Sequence, residues 1–299
     1  MNTNWLRKSK QFLFKGKVLI HVILNKNQTF RLKDFSIVLP PRHPLLYYTF
    51  FNPRYDRFIF HLTKQLIPGE LAVDVGANVG DTLAIMVEAN PHLKFFCVDG
   101  EPFFYGFLIR NIIEIKKAFP NIDIGSELAI LGDGSPSVGL KIANGTASLN
   151  LESPIRAKSV TLDALVTNNK LNEIRFLKTD TDGFDFMVLE SGLKILNEAK
   201  PILLFELQFS NDDQLQGYVN LLGSLDKFHY TIFLVFDNFG ELICRVQSIS
   251  QIYDLMEYIT NQHIKKTIYY LDIVAATEND TKIIDDAVES FRLEKFSKS

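Results

Sequence analysis

Short apolar runs bounded by turn residues alternate along this chain with longer segments of helical spacing. The runs at 71–75 (LAVDV), 93–99 (LKFFCVD), 122–130, 174–180 and 202–207 (ILLFEL) are too short for helices and read as buried strands. Apolar spacing of about 3.6 predicts helices over 56–66, with Phe58, Ile59, Phe60 and Leu62 inward, and over 80–89, 184–196, 212–225 and 251–260. Pro102 suits the first turn of another, running to about Ala118 through Phe103, Phe107, Ile109 and Ile113. Further strands are expected at 229–236, 242–246 and 267–276, with a turn at 238–240 and a polar tail helix over 281–298. Strands alternating with helices imply a mostly parallel, doubly wound α/β sheet.

The two regions outside this alternation read differently. Residues 1–40 suggest an added layer, a basic segment followed by two strands joined at 25–27. The apolar run at 18–24 follows several Lys and Arg residues but is very short and lacks a small-residue cleavage site, so it reads as a strand and not a leader. Pro40, Pro41 and Pro44 interrupt regular structure, and an aromatic-crowded stretch, 47–55, follows. Residues 131–151 are rich in Gly, Ser and Asn, and Asn144-Gly145 predicts a hairpin in a small β-excursion. Thr161 is placed to cap the short helix at 162–166.

The candidate chemistry gathers at strand ends. Asp74 closes the 71–75 strand, and Gly76-Ala77-Asn78-Val79-Gly80 follows as a turn into a helix that begins near Asp81 and Thr82. Such a turn lets a ligand approach the backbone and meet the free N–H groups of the next helix. The dinucleotide pattern Gly-x-Gly-x-x-Gly is not present, since Asn78 stands where it wants glycine. The 93–99 strand ends in Asp99, 19 residues past Gly80, where a ribose-binding carboxylate belongs, and Glu101 competes for that role. On the 174–180 strand Lys178 and Asp180 share a face that should be apolar in a central parallel strand. They read either as an ion pair at a wet strand tip or as a reaction site; Glu206 ends the 202–207 strand in the same way.

DVGANVGDT at 74–82 followed by VDGEP at 98–102 resembles the FkbM-type methyltransferases, enzymes dependent on S-adenosylmethionine and named for a macrolide O-methyltransferase. Three more pieces match in order: VTLDAL at 160–165, LKTDTDGFDFMVLESG at 177–192 and PILLFEL at 201–207. The resemblance covers residues 55–207. Asp182 and Asp185 stand where the family usually has glutamates, keeping the charge and shortening the reach. It implies a Rossmann-like class I methyltransferase fold with an antiparallel last strand. By resemblance, Asp74 and the 76–80 backbone (Gly76, Ala77, Asn78, Gly80, with Asp81 and Thr82) hold the methionine part of S-adenosyl-L-methionine. Asp99 or Glu101 holds the ribose, and Ala129 and Ile130 lie near the adenine, with Glu127 beside them. Read from its residues, the aromatic 47–55 stretch either packs in the core or caps the adenine or lines an acceptor pocket, and His43, beside prolines, is either structural or projects into that pocket. Asp180 is the candidate base that removes the acceptor's proton, with Lys178 or Glu206 in support; its second reading is as a ligand of a divalent cation that acidifies the hydroxyl. O-methylation of a glycan or small natural product is the expected reaction.

Composition narrows this only at the margins. Hydrophobic residues make up 46% and charged residues 22%, so the whole length reads as globular, and a net charge of −3 gives no reason to expect a nucleic-acid partner. No apolar stretch is long enough to span a bilayer, and Cys97 and Cys244 show no zinc-like spacing, so a soluble cytoplasmic protein with no structural metal is expected. The expected division is a 1–54 extension, a 55–278 methyltransferase domain and a 279–299 tail helix. Three rivals remain: a glycosyltransferase holding a metal through Asp180 and Asp182, an NAD-dependent oxidoreductase, and a binding protein that has lost catalysis.

Overall fold

A computed structural model describes residues 26–135, 138–143, 146–149, 156–157, 159–171, 173–262 and 267–294. Its centre is an eight-stranded sheet: β3 (Leu71–Val75), β4 (Lys94–Asp99), β5 (Asp123–Leu128), β11 (Ile174–Thr179), β12 (Ile202–Leu207), β13 (Tyr230–Asp237), β14 (Leu242–Val246) and β15 (Leu271–Thr277). The spatial order is β14-β13-β15-β12-β11-β3-β4-β5. The neighbours from β12 to β5 are parallel, whereas β15 runs antiparallel between β12 and β13. This is the doubly wound α/β sheet with a reversed late strand that the sequence predicts, Rossmann-like in its order.

Strand alternation sorts the core into two layers. Val73, Val75, Leu177 and Phe205 face one side, with Leu165, Val188, Leu189, Leu221 and Leu222 from helices α5 (Leu162–Asn169), α6 (Asp185–Glu190) and α8 (Asp212–Lys227). Ala72, Cys97, Phe176 and Val274 face the other, against Leu62, Met86, Leu108 and Phe291. Those come from α2 (Arg57–Lys64), α3 (Asp81–Ala89), α4 (Pro102–Ala118) and α10 (Thr281–Leu293). None of the described helices is long and apolar enough to cross a membrane.

Several sequence expectations change. The 184–196 helix is two, α6 and α7 (Leu193–Glu198), because Leu162 packs so tightly on Gly192 that an added Cβ would lie 2.4 Å from it. Ser191 Oγ accepts the Leu162 N–H and donates to Val188 O, fixing the break. In α4 the inward face is Phe104, Leu108, Asn111, Ile112 and Ile115, whereas Phe103 and Ile113 are exposed and Ile109 borders on exposure. A purely apolar stripe misses this face because a polar residue lies in the middle of it. Asn111 is fully satisfied: Val38 N–H donates to its Oδ1 at 2.8 Å, and its Nδ2 donates to Val38 O and Val79 O at 2.9 and 2.8 Å. The last strand starts at Leu271, and α10 is amphipathic, with Ile284, Ala287 and Phe291 buried.

At the N-terminal end β1 (Gln28–Arg31) pairs antiparallel with β2 (Ser36–Leu39), with the turn at 32–35. The strand expected at 18–24 lies outside the described residues. Part of the aromatic stretch forms helix α1 (Leu45–Phe51). In the excursion, β7 (Val138–Ala143) and β8 (Thr146–Leu149) pair antiparallel on either side of the Asn144-Gly145 signal. Thr161 caps α5 as expected, its Oγ1 accepting from Ala164 N–H. The short pieces β6 (Ile130–Leu131), β9 (Arg156–Ala157) and β10 (Ser159–Val160) and helix α9 (Ile249–Thr260) complete the described elements, apart from a single 3-10 turn before α10.

Candidate active site

The site lies at the C-terminal tips of the parallel strands, where β3 passes into the glycine turn and β11 into the loop before α6. Register puts Lys178 directly beside Asp74 on neighbouring strands, which explains the charged residues in a central strand: each is the other's neighbour. Lys178 Nζ lies 3.3 Å from Asp74 Oδ1 and 3.2 Å from Asp180 Oδ2. Asp74 is fully buried, and neither of its oxygens has a partner in hydrogen-bond geometry. Burial raises its pKa to about 6 despite the opposing Lys178 charge. Burial works to lower Lys178, but Asp180, Asp74, Asp56 and Asp81 outweigh it and hold the ammonium well above its usual range.

The glycine turn is set by close approach. Gly76 has φ +78, and a Cβ there would fall 1.9 Å from the backbone oxygen of Asp180. Gly80, at φ +83, is the N-cap of α3. Gly76 and Ala77 N–H both donate to Val98 O, so the turn is tied to the tip of β4. Asp99 completes the tie: its Oδ2 accepts from Asn78 N–H at 2.7 Å and its Oδ1 from Glu101 N–H at 2.8 Å. Burial pushes Asp99 to about 7. Glu101 caps α4, its Oε2 accepting from Phe104 N–H.

A cavity of about 320 Å³ opens on one side of this turn. Gly76, Asn78, Asp81, Thr82, Lys178, Asp180, Asp182 and Glu206 line it, together with His43, Tyr48, Tyr55, Asp56, Gln208, Tyr270 and Asp272. His43 Nδ1 accepts from Leu45 N–H, which leaves Nε2 to donate to Asn78 Oδ1 at 3.3 Å. Among the sequence-derived residues, Asp99, Glu101, Ala129 and Ile130 gather instead at the β4–β5 tip, where Ala129 N–H donates to Asp99 O and Ile130 packs over Gly100. They are not part of the cavity wall, and neither are the buried Asp74, Ala77 and Gly80. Asp185 turns inward: its Oδ2 accepts from both Thr181 N–H and Thr181 Oγ1, fixing the loop that carries Asp180. Among the described residues no group of three or more His, Cys, Asp or Glu is arranged to hold a metal ion.

The family model for the methyltransferase FkbM domain matches residues 74–262, beginning at Asp74 itself and ending past α9. The chain belongs to the FkbM methyltransferase family. No curated protein matches the chain. Among solved structures it is similar to an FkbM methyltransferase from Methylobacillus flagellatus, at 13% identity and a TM-score of 0.44, over 69% of this chain and 43% of that one. The chain thus spans less than half the length of that relative. It is also similar to an O-methyltransferase from Bacillus cereus solved with SAH (11%, TM-score 0.44, 78% and 88% covered) and to fibrillarin from Aeropyrum pernix with natively bound S-adenosyl-L-methionine (9%, TM-score 0.41, 86% of each).

Asp272, Tyr270, Asp56 and Gln208 are cavity residues that sequence reasoning missed, whereas Tyr48 and Tyr55 belong to the aromatic stretch considered for an acceptor pocket. Asp272 carried a usable signal, an acid inside the apolar run LDIVAA, the same anomaly that marked Lys178.

The buried carboxyls of this FkbM chain set a pH dependence. Asp74 and Asp185 are raised to about 6 and Asp99 to about 7, burial being the largest cause in each. A carboxyl raised on folding binds more protons in the native than in the unfolded state, so stability is present at low pH and lost as pH rises through the folded value. Unfolding in urea should therefore show stability falling from about pH 4, the unfolded value, to about pH 7. A stability rising over that window would contradict these environments.

Proposed function

We propose that the protein binds S-adenosyl-L-methionine at the tips of β3 and β4 and transfers its methyl group to a hydroxyl of a sugar or small natural product. The observation that carries this reading is the contact between Gly76 and the Asp180 backbone, which sets the glycine turn and the candidate base on one cavity wall. The residues fit the cofactor: Asp74 is a buried carboxylate with both oxygens lacking hydrogen bonds, Gly76 leaves no room for a side chain, and the surroundings are rich in acids. In this reading Asp74, Lys178 and the 76–80 backbone, with Ala77, Asn78, Gly80, Asp81 and Thr82, hold the methionine portion. Asp99 and Glu101 serve the ribose, with Ala129 and Ile130 beside the adenine.

When bound, the cofactor supplies a methyl group on a sulfonium sulfur; transfer breaks that C–S bond, forms a C–O bond to the acceptor, and leaves a neutral sulfide. The hydroxyl must lose its proton, and Asp180 is the group we assign to receive it. Lys178 keeps the Asp180 carboxylate oriented at 3.2 Å. His43 and Tyr48, from the segment before residue 54, form part of the wall, so the N-terminal extension contributes to the acceptor side. The Asp180→Asn variant tests the assignment. Its turnover with labelled cofactor and fractionated glycans should fall about 100- to 10,000-fold with cofactor affinity nearly unchanged. Undiminished turnover would remove Asp180 from the role, and label passing only to protein or RNA would refute the acceptor class.

A further inference from the structure

Two acids from neighbouring strands stand side by side in the cavity wall. Glu206 of β12 and Asp272 of β15 are direct register partners, and both line the cavity. Like charges at such positions repel. Among the described residues no Lys, Arg or His forms an ion pair with either, and the one lysine lining the cavity, Lys178, is engaged by Asp74 and Asp180. Glu206 is only 7% exposed. With the Gln208 amide nitrogen turned inward, the orientation in which both ends of that amide find partners, the Glu206 carboxyl accepts from it at 3.1 and 3.3 Å, a neutral donor that brings no positive charge. Burial first, then neighbouring carboxylates, pushes both acids well above the usual range, so without a cation they hold their protons, and an ammonium beside them would draw them to the charged form. A buried acid without a cation, opposite a second acid and facing a cavity, lacks positive charge. Tyr48, Tyr55 and Tyr270 line the same cavity, and aromatic faces attract cations.

We propose that Glu206, Asp272 and the tyrosines beside them form a subsite for an ammonium group on the acceptor, as on an amino sugar or an amine-bearing natural product. Held there, the acceptor keeps its hydroxyl free to reach Asp180. The inference rests on the methyl-transfer reading and specifies its acceptor.

Calorimetry on the full chain loaded with S-adenosylhomocysteine tests it, with glucosamine as the cationic probe and N-acetylglucosamine as the neutral one. Glucosamine should bind about tenfold more tightly. That preference should vanish in the Glu206→Gln/Asp272→Asn double variant and shrink in Tyr270→Leu, a second variant should the first fail to fold. Equal affinities, no saturable glucosamine binding at millimolar concentrations, or a preference surviving both changes would overturn the subsite. Failure of S-adenosylhomocysteine itself to bind would instead overturn the methyl-transfer reading, and the subsite with it.

Discussion

Replacing Gly76 with alanine is expected to weaken cofactor binding by about 100-fold or more while the chain still folds. The new Cβ would sit 1.9 Å from the Asp180 backbone oxygen, and φ at this position is +78, a region that costs a side-chain-bearing residue of order 1–3 kcal/mol. Backbone atoms cannot swing aside as a side-chain end can, so either the turn or the Asp180 loop must move. Asn78 N–H and Asp99 Oδ2, 2.7 Å apart, would be pulled out of register in the first case, and Asp180 from Lys178 in the second. A domain stable by about 5–15 kcal/mol tolerates the strain, so the defect should show in binding more than in folding. Calorimetry with S-adenosylhomocysteine beside urea unfolding separates the two. Gly106→Ala, in α4 with nothing within 4 Å of the new Cβ, is the control that should bind normally. A Gly76→Ala protein with unchanged affinity would mean that the turn does not hold the cofactor.

The second large effect is expected at Lys178. Removing its ammonium in Lys178→Met strands Asp74, which is fully buried with no hydrogen bonds, and breaking such a buried pair costs about 3–5 kcal/mol. Asp74 can escape only by taking up a proton. Its pKa, about 6 with the lysine present, moves further up without it. A carboxyl raised in this way contributes stability at low pH and loses it as pH rises, so the variant should be nearer to wild type at pH 5 than at pH 8. Adding Asp74→Leu should restore much of the loss at pH 8, since an apolar pair there leaves no charge stranded. Wild-type stability of the single variant at pH 8 would show that the pair is not coupled.

Much of the frame was legible because it follows from local chemistry. Short apolar runs, the glycine turn at 76–80 and the acids at strand ends marked β3, β4, β11 and β12 and the edge where they gather. The charged Lys178 in a central strand pointed to a site and to Asp180 as its neighbour, but not to its second partner, Asp74, because register between β3 and β11 is a long-range property. The inward face of α4 was misread for a related reason: Asn111 is buried only because β2 and the glycine loop supply its hydrogen bonds. The break at Gly192 depends on Leu162 arriving from another element, and no local pattern announces it. Asp272 was visible as an acid in an apolar strand, yet its pairing with Glu206 required knowing that β15 runs antiparallel beside β12.

Calorimetric titration of the full chain with S-adenosyl-L-methionine, a sugar nucleotide and NAD, in separate cells, bears most directly on the central claim. Saturable binding of the first alone is the predicted result. Preferential binding of either of the others, or none by S-adenosyl-L-methionine, would contradict the account.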